Sequence, residues 1–129
     1  MNDSMVGNIV LQNYTTLDGE VRYGLFLVIY DEYQDPTIIH NQNMVCLKVT
    51  SNAHLVHYDV PLPLSSHPFL DHDSFVMCSK LHVLPKLGCK YCGHVSPYCF
   101  VQIHQMFTRF INQVDEQALN NMLKGVDLK

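Results

Sequence analysis

The hydrophobic pattern of this chain changes period once, and that change limits its fold more than any other feature. From Gly7 to Leu84 the apolar residues fall in short, strand-length runs separated by turn signals. After Ser96-Pro97 they recur at spacings of three and four, at Phe100, Ile103, Phe107, Phe110, Ile111 and Val114, which lays one apolar face along a helix of about four turns. Strands therefore come first and a helix last. Helices do not alternate with strands, so a parallel α/β sheet is excluded.

The strand runs can be placed individually. "GNIVLQNY" (Gly7–Tyr14) is followed by "TTLDGE", in which Asp18-Gly19 signals a hairpin. "VRYGLFLVIY" (Val21–Tyr30) has a nearly continuous apolar tail, as a strand buried on both faces requires. "DEYQDPT" reads as a loop, "MVCLKVT" (Met44–Thr50) as a strand, and "HLVHYDV" (His54–Val60) alternates in part. "PLPLSSHPFLDHD" carries three prolines and is expected to be irregular or edge-like, and "SFVMCSKLHVL" (Ser74–Leu84) is a further strand. Ser96 is a capping residue with proline at the first helical position, and Asp115–Lys124 reads as a second short helix ended by Gly125. The expectation is one domain over residues 1–129, mainly β with a C-terminal helix, built as a small closed SH3-like barrel.

Composition narrows the function classes. Of 129 residues, 47% are hydrophobic and 16% charged, which argues against disorder and for apolar surface covered by a second copy of the chain, a homodimer. The net charge of −4 lacks the global basic excess of a duplex-DNA binder, although Arg22, Lys48, Lys80, Lys86 and Lys90 could be gathered locally by the fold. No leader-like N-terminus and no run of about 18 apolar residues is present, so a cytoplasmic protein without a membrane span is expected.

Five cysteines make an odd number, favouring reduced thiols or metal ligands over a disulfide framework. Cys46 and Cys78 lie in apolar runs and read as small buried hydrophobes. "LGCKYCGHVSP" is the densest cluster of reactive side chains. Cys89-x-x-Cys92 is the right knuckle for two legs of a tetrahedral zinc, which His94, Cys99 or His104 could complete. The second knuckle of a structural zinc site is missing, so a thiol-bearing turn without an ion stands beside the metal reading. If zinc binds, Cys89, Cys92, His94 and Cys99 are the expected ligands, and its role is to fix the last hairpin.

The order of these pieces resembles the MazF/PemK family of toxin endoribonucleases. "VGNIVLQNY" is similar to the family's opening strand, "VRYGLFLVIYDE" to its arginine-bearing second strand, and "CLKVTSN" with "HYDVPLPL" to its threonine-bearing strand and the sequel. "DSFVMCSKLHVLPK" and "CGHVSP" running into an amphipathic helix resemble its ending, so the likeness covers about Val6 to Leu123. The resemblance implies a PemK-like barrel and metal-independent cleavage of single-stranded RNA by attack of the 2′-hydroxyl on the adjacent phosphate, with no cofactor required and an antitoxin protein as partner. It also implies Arg22 and Thr50 as the catalytic pair. The family usually has a longer first loop and a proline after the arginine, whereas here Tyr23-Gly24 follows Arg22, and His82 stands where a late arginine is common.

Chemistry agrees with that pairing, since a guanidinium can grip two phosphate oxygens and a threonine hydroxyl can donate to a third. Ser51, Lys48, Lys80, His82 and Tyr23 are the expected substrate-binding residues. His82 offers an imidazole that titrates near neutrality, the lysines offer charge, and Tyr14, Tyr23, Tyr30 and Tyr33 offer faces for stacked bases. The plainer alternative makes Arg22 a solvated strand-end cation paired with Asp18 or Glu20, and Thr50 ordinary strand chemistry. Two other function classes stay open at this point: a non-catalytic SH3-like barrel acting as a protein-binding module or inhibitor of phage or plasmid type, and a small zinc-dependent interaction protein.

Overall fold

The computed structural model describes residues 5–31, 43–51 and 58–114. Within them are six strands and one helix: β1 (Asn8–Thr15), β2 (Val21–Asp31), β3 (Asn43–Thr50), β4 (Asp59–Leu62), β5 (Ser74–Pro85), β6 (Lys90–His94) and α1 (Pro97–Ile111). The strands form one antiparallel sheet in the order β4-β5-β3-β2-β1-β6. β1 and β2 make the hairpin that Asp18-Gly19 foretells, with Gly19 at φ 85 in its turn. The proline-bearing β4 is an edge strand, where Pro61 needs no partner for its missing N–H.

The mainly β fold with a C-terminal helix is the expected one, and among the described residues β4 and β6 are the edges of the sheet and do not pair with each other. Of the predicted run His54–Val60, Asp59 and Val60 open β4, while residues 52–57 lie outside the described part, as does the predicted helix at Asp115–Lys124.

β2 and β3 sit in the middle of the sheet and are apolar on both faces. On one face Ile9, Leu27, Val45, Leu47, Val49 and Val76 pack with Cys99, Ile103 and Phe110 of α1. On the other, Val10, Phe26, Val28, Met44, Cys46 and Leu84 form a smaller cluster edged by Tyr14 and Cys89. Burying each large aliphatic or aromatic side chain contributes about 1.5–3 kcal/mol, so the helix-covered face is the main source of stability.

Buried polar groups tie the connections to this frame. Gln12 on β1 donates through Nε2 to Pro85 O (2.8 Å) and Leu87 O (3.0 Å), pinning the β5–β6 turn. Asp31 is fully buried and accepts from the Met5 N–H at 2.7 Å. His67 is also fully buried: its Nε2 accepts from the Ser96 N–H (3.1 Å) and its Nδ1 lies 3.0 Å from Pro63 O. That pairing fixes the tautomer with the proton on Nδ1 and holds the proline-rich segment against the start of α1. Ser96 caps the helix by accepting from the Cys99 N–H at 3.3 Å.

Ser96→Ala is expected to lower the unfolding free energy by about 1 kcal/mol, as loss of an N-cap does. Ile103→Ala, which empties a fully buried site between helix and sheet, is expected to cost about 2–5 kcal/mol. Urea titrations check both, with lower midpoints at an unchanged slope.

Candidate functional site

The smaller apolar cluster does not extend to the hairpin end of the sheet. Beyond Phe26 the same face carries Gly24 and Arg22 on β2, Tyr14 on β1 opposite Arg22, and Lys48 on β3 opposite Phe26. The β3–β5 ladder is interrupted at this level, since Leu47 pairs with Leu81 but Lys48 pairs with Met77. Cys78, Ser79 and Lys80 are therefore extra on β5. A bulge of this kind re-aims side chains, and here Lys80 lines the cleft that Lys48 enters.

That cleft is walled by Tyr14, Arg22, Lys48, Met77, Lys80, His82 and the β1–β2 turn from Thr15 to Asp18. Three of its lining side chains are cations, and Asp18 is the one carboxylate among them. The rings of Tyr14, Phe26 and His82 meet edge to face, with centroids 5.2–5.7 Å apart. Lys48 Nζ lies over two of them, 5.5 Å from the Tyr14 centroid and 5.2 Å from that of Phe26, and donates to Val49 O at 3.0 Å. Burial holds its ammonium below the ordinary lysine value.

The arrangement depends on Gly24. A Cβ there would stand 2.9 Å from Lys48 Nζ and 2.9 Å from the Tyr14 ring. Glycine within a strand signals a close approach, and this is the feature of the site that the sequence offered and that strand patterning alone does not interpret.

Arg22 is largely exposed and donates to Glu20 through Nε (3.0 Å) and Nη2 (2.5 Å). The bond to Glu20 and its negative charge raise the guanidinium pKa further, so Arg22 is charged under all ordinary conditions. The pairing with Glu20 agrees with the plainer reading of this residue and leaves the guanidinium at the cleft wall. Thr50 lines a second, adjoining cleft together with Tyr23, Gly24, Ser51 and, from the segment before β5, Asp71, His72 and Ser74. Lys48 lines both clefts. Arg22 thus lines one cleft with Lys48, Lys80 and His82, and Thr50 lines the adjoining one with Ser51, Tyr23 and Lys48.

The expected zinc ligands do not assemble. Cys89 packs against the smaller cluster, Cys92 and Cys99 against the helix-covered core on the other face, and His94 Nδ1 lies 3.0 Å from Asn8 Oδ1. Among the described residues no group of three or more His, Cys, Asp or Glu side chains is placed to hold a metal. The spacing that suits a zinc knuckle in a loop here straddles the start of a strand, where positions three apart point to opposite faces.

No family model matches the chain, and no curated protein matches it. Solved structures do. A chain of the MazE-MazF structure from Deinococcus radiodurans superposes with a TM-score of 0.66 at 16% identity, over 87% of this chain and 100% of that one. The chain has a MazF-like fold. The Mycobacterium tuberculosis toxin MazF-mt6 matches with a TM-score of 0.62 at 16% identity, over 84% of this chain and 99% of that one. A mycobacterial endoribonuclease in complex with its cognate antitoxin matches at 0.65 and 15% identity, over 88% and 99%. The MazF-like fold accounts for the order of strands and helix, and the Lys48–Gly24–Tyr14 arrangement belongs to this chain's own residues.

Gly24→Ala is expected to lower stability by about 1 kcal/mol, because the added methyl displaces Lys48 and the Tyr14 ring. Gly24→Ala combined with Lys48→Ala should recover part of that loss in urea unfolding. Burial pushes the Cys78 thiol up to about 12 and the Cys46 thiol higher still. At pH 8 neither forms thiolate in the folded protein, so both should react with a disulfide reagent only on unfolding, whereas half-buried Cys92 reacts first.

Proposed function

We propose that this chain is a toxin-type endoribonuclease that cleaves single-stranded RNA by metal-independent 2′-hydroxyl transesterification. The observation that carries the reading is the cationic cleft at the hairpin end of a MazF-like sheet, where Arg22, Lys48 and Lys80 surround a floor of aromatic rings. Three positive charges beside the Tyr14 and His82 rings suit an unpaired, flexible polyanion.

The reaction asks little covalent chemistry of the protein. The 2′-oxygen attacks phosphorus, a dianionic phosphorane forms, and the 5′-oxygen departs, leaving a cyclic phosphate. Arg22 exchanges Glu20 for two phosphate oxygens, a swap favoured by the guanidinium's exposure and by the bidentate fit of its donors. Thr50, reaching the phosphate from the adjoining cleft, donates its hydroxyl to a non-bridging oxygen, with Ser51 beside it. His82 accepts the 2′-hydroxyl proton. Lys80 holds a flanking phosphate, and Tyr23, which is 70% exposed, offers a face to a neighbouring base.

On this reading the protein acts in the cytoplasm as a homodimer and is neutralised by an antitoxin, as in the solved toxin–antitoxin pairs that share its fold. Among the described residues no helix is long and apolar enough to cross a membrane. No cofactor takes part in the reaction.

The test is incubation of the purified protein with a long unstructured RNA in EDTA, followed by analysis of the ends. Cyclic-phosphate products are expected, with rates falling about 10²–10³-fold in Arg22→Ala and measurably in Thr50→Ala, as when one charge-stabilising donor is removed. Intact RNA at high protein excess would overturn the nuclease and favour a protein-binding module built on the same fold. Light scattering should give twice the 14.8-kDa mass of the chain.

A further inference from the structure

Lys48 differs from Arg22, which lines the same cleft and is paired with Glu20, and from Lys86 outside it, whose ammonium lies 3.8 Å from the buried Asp31 carboxylate. Lys48 Nζ instead has a carbonyl and two aromatic rings as its neighbours, with no carboxylate paired to it among the described residues. It is the charged side chain common to both clefts, so a strand of RNA running from one to the other must pass over it. The glycine at position 24 leaves the gap into which the ammonium fits.

We propose that Lys48 is a catalytic residue, the general acid that protonates the departing 5′-oxygen where the two clefts meet. The proposal rests on the nuclease reading and adds a role that Arg22 and Thr50 do not fill. A guanidinium is a weaker acid than an ammonium, and the bond to Glu20 makes Arg22 weaker still. A partly desolvated ammonium gives up a proton more readily, and burial moves Lys48 in that direction.

The step balances as follows. The bond from O2′ to phosphorus forms and the bond from phosphorus to O5′ breaks, with its electron pair going to O5′. O5′ takes a proton from Lys48 Nζ, while the 2′-hydroxyl proton passes to the His82 imidazole lining the same cleft. Exchange with water afterwards returns the proton to Nζ and removes it from His82. Tyr14, Asp18, Arg22, Lys80 and His82 are the titratable or charged groups that line this cleft with Lys48, and the single negative charge among them, Asp18, lies on the turn.

A substrate that needs no general acid isolates this role. The cleaved linkage is first located by end mapping, and two oligoribonucleotides are then made, one natural and one with sulfur replacing the bridging 5′-oxygen at that linkage. A thiolate departs without protonation. Lys48→Met, which keeps the apolar stem over Tyr14 and Phe26, is expected to cut the natural substrate about 10²–10⁴-fold more slowly than wild type and the sulfur substrate within about tenfold of it. Lys48→Arg, which keeps the charge but not the transferable proton, should behave alike. Arg22→Ala should be slow on both, since it removes phosphorane stabilisation. Wild-type rates in the Lys48 variants on the natural substrate, or an equal loss on both substrates, would overturn the proposal while leaving the nuclease intact. No cleavage of either substrate by the wild type would overturn the nuclease reading and this one with it.

Discussion

The structure depends on the double burial of β2 and β3. These strands run through the middle of the sheet with apolar side chains on alternate sides, so each face must be covered or the sheet would expose a greasy surface. One amphipathic helix covers one face. The other has no helix among the described residues and is filled instead by Phe26, Met44, Leu84 and their neighbours, with Met5, Tyr14 and Cys89 at its margin. Among the described residues one helix serves a two-faced sheet, and the second face is covered only in part. Where that protection stops, at the hairpin end, the strands continue with backbone in place and polar side chains above it, and a cleft results.

The contents of the cleft follow from strand parity and one register shift. Phe26 and Lys48 face each other across the β2–β3 ladder, so the lysine stem continues the apolar cluster while its end leaves it. The jump from Leu81 to Met77 on β5 opens room for Lys80 at the same level. Glycine at position 24 removes the side chain that would otherwise fill the space over Tyr14. A cation at the edge of an apolar cluster, bounded by ring faces, experiences a lower local dielectric than a surface lysine, and its charge reaches a bound phosphate with less screening.

Much of this frame was legible in the sequence. Strand limits at Asn8–Thr15, Val21–Asp31, Asn43–Thr50 and Ser74–Pro85 fall within one residue of the runs that apolar pattern predicts, and α1 begins at the Ser96-Pro97 signal. These elements are set by local period and capping, which a sequence carries directly. Closure of the barrel was not legible, because whether two edges meet depends on bulges and twist accumulated along strands, as at Val28–Tyr30 and Leu47–Lys48. The cysteine cluster misled for the same reason: a ligand spacing has chemical meaning only once the backbone between the residues is known, and a strand sends Cys89 and Cys92 apart. Arg22, Lys48, Lys80 and His82 could each be named as candidates, but that they line one cleft while Thr50 occupies the next follows from register. The Gly24–Lys48 contact is of the same kind, a pairing between residues 24 positions apart with no local signature.

Net charge and site charge also separate here. The chain carries −4 overall, which argues against tight, sequence-blind binding to long nucleic acid. Yet beyond a Debye length of about 8 Å at physiological salt the distant acids are largely screened, whereas a phosphate inside the cleft meets Arg22, Lys48 and Lys80 at close range. For a protein whose global charge disfavours polyanions, a cleft lined by Arg22, Lys80 and a partly desolvated Lys48 is the arrangement through which a phosphate can still be held.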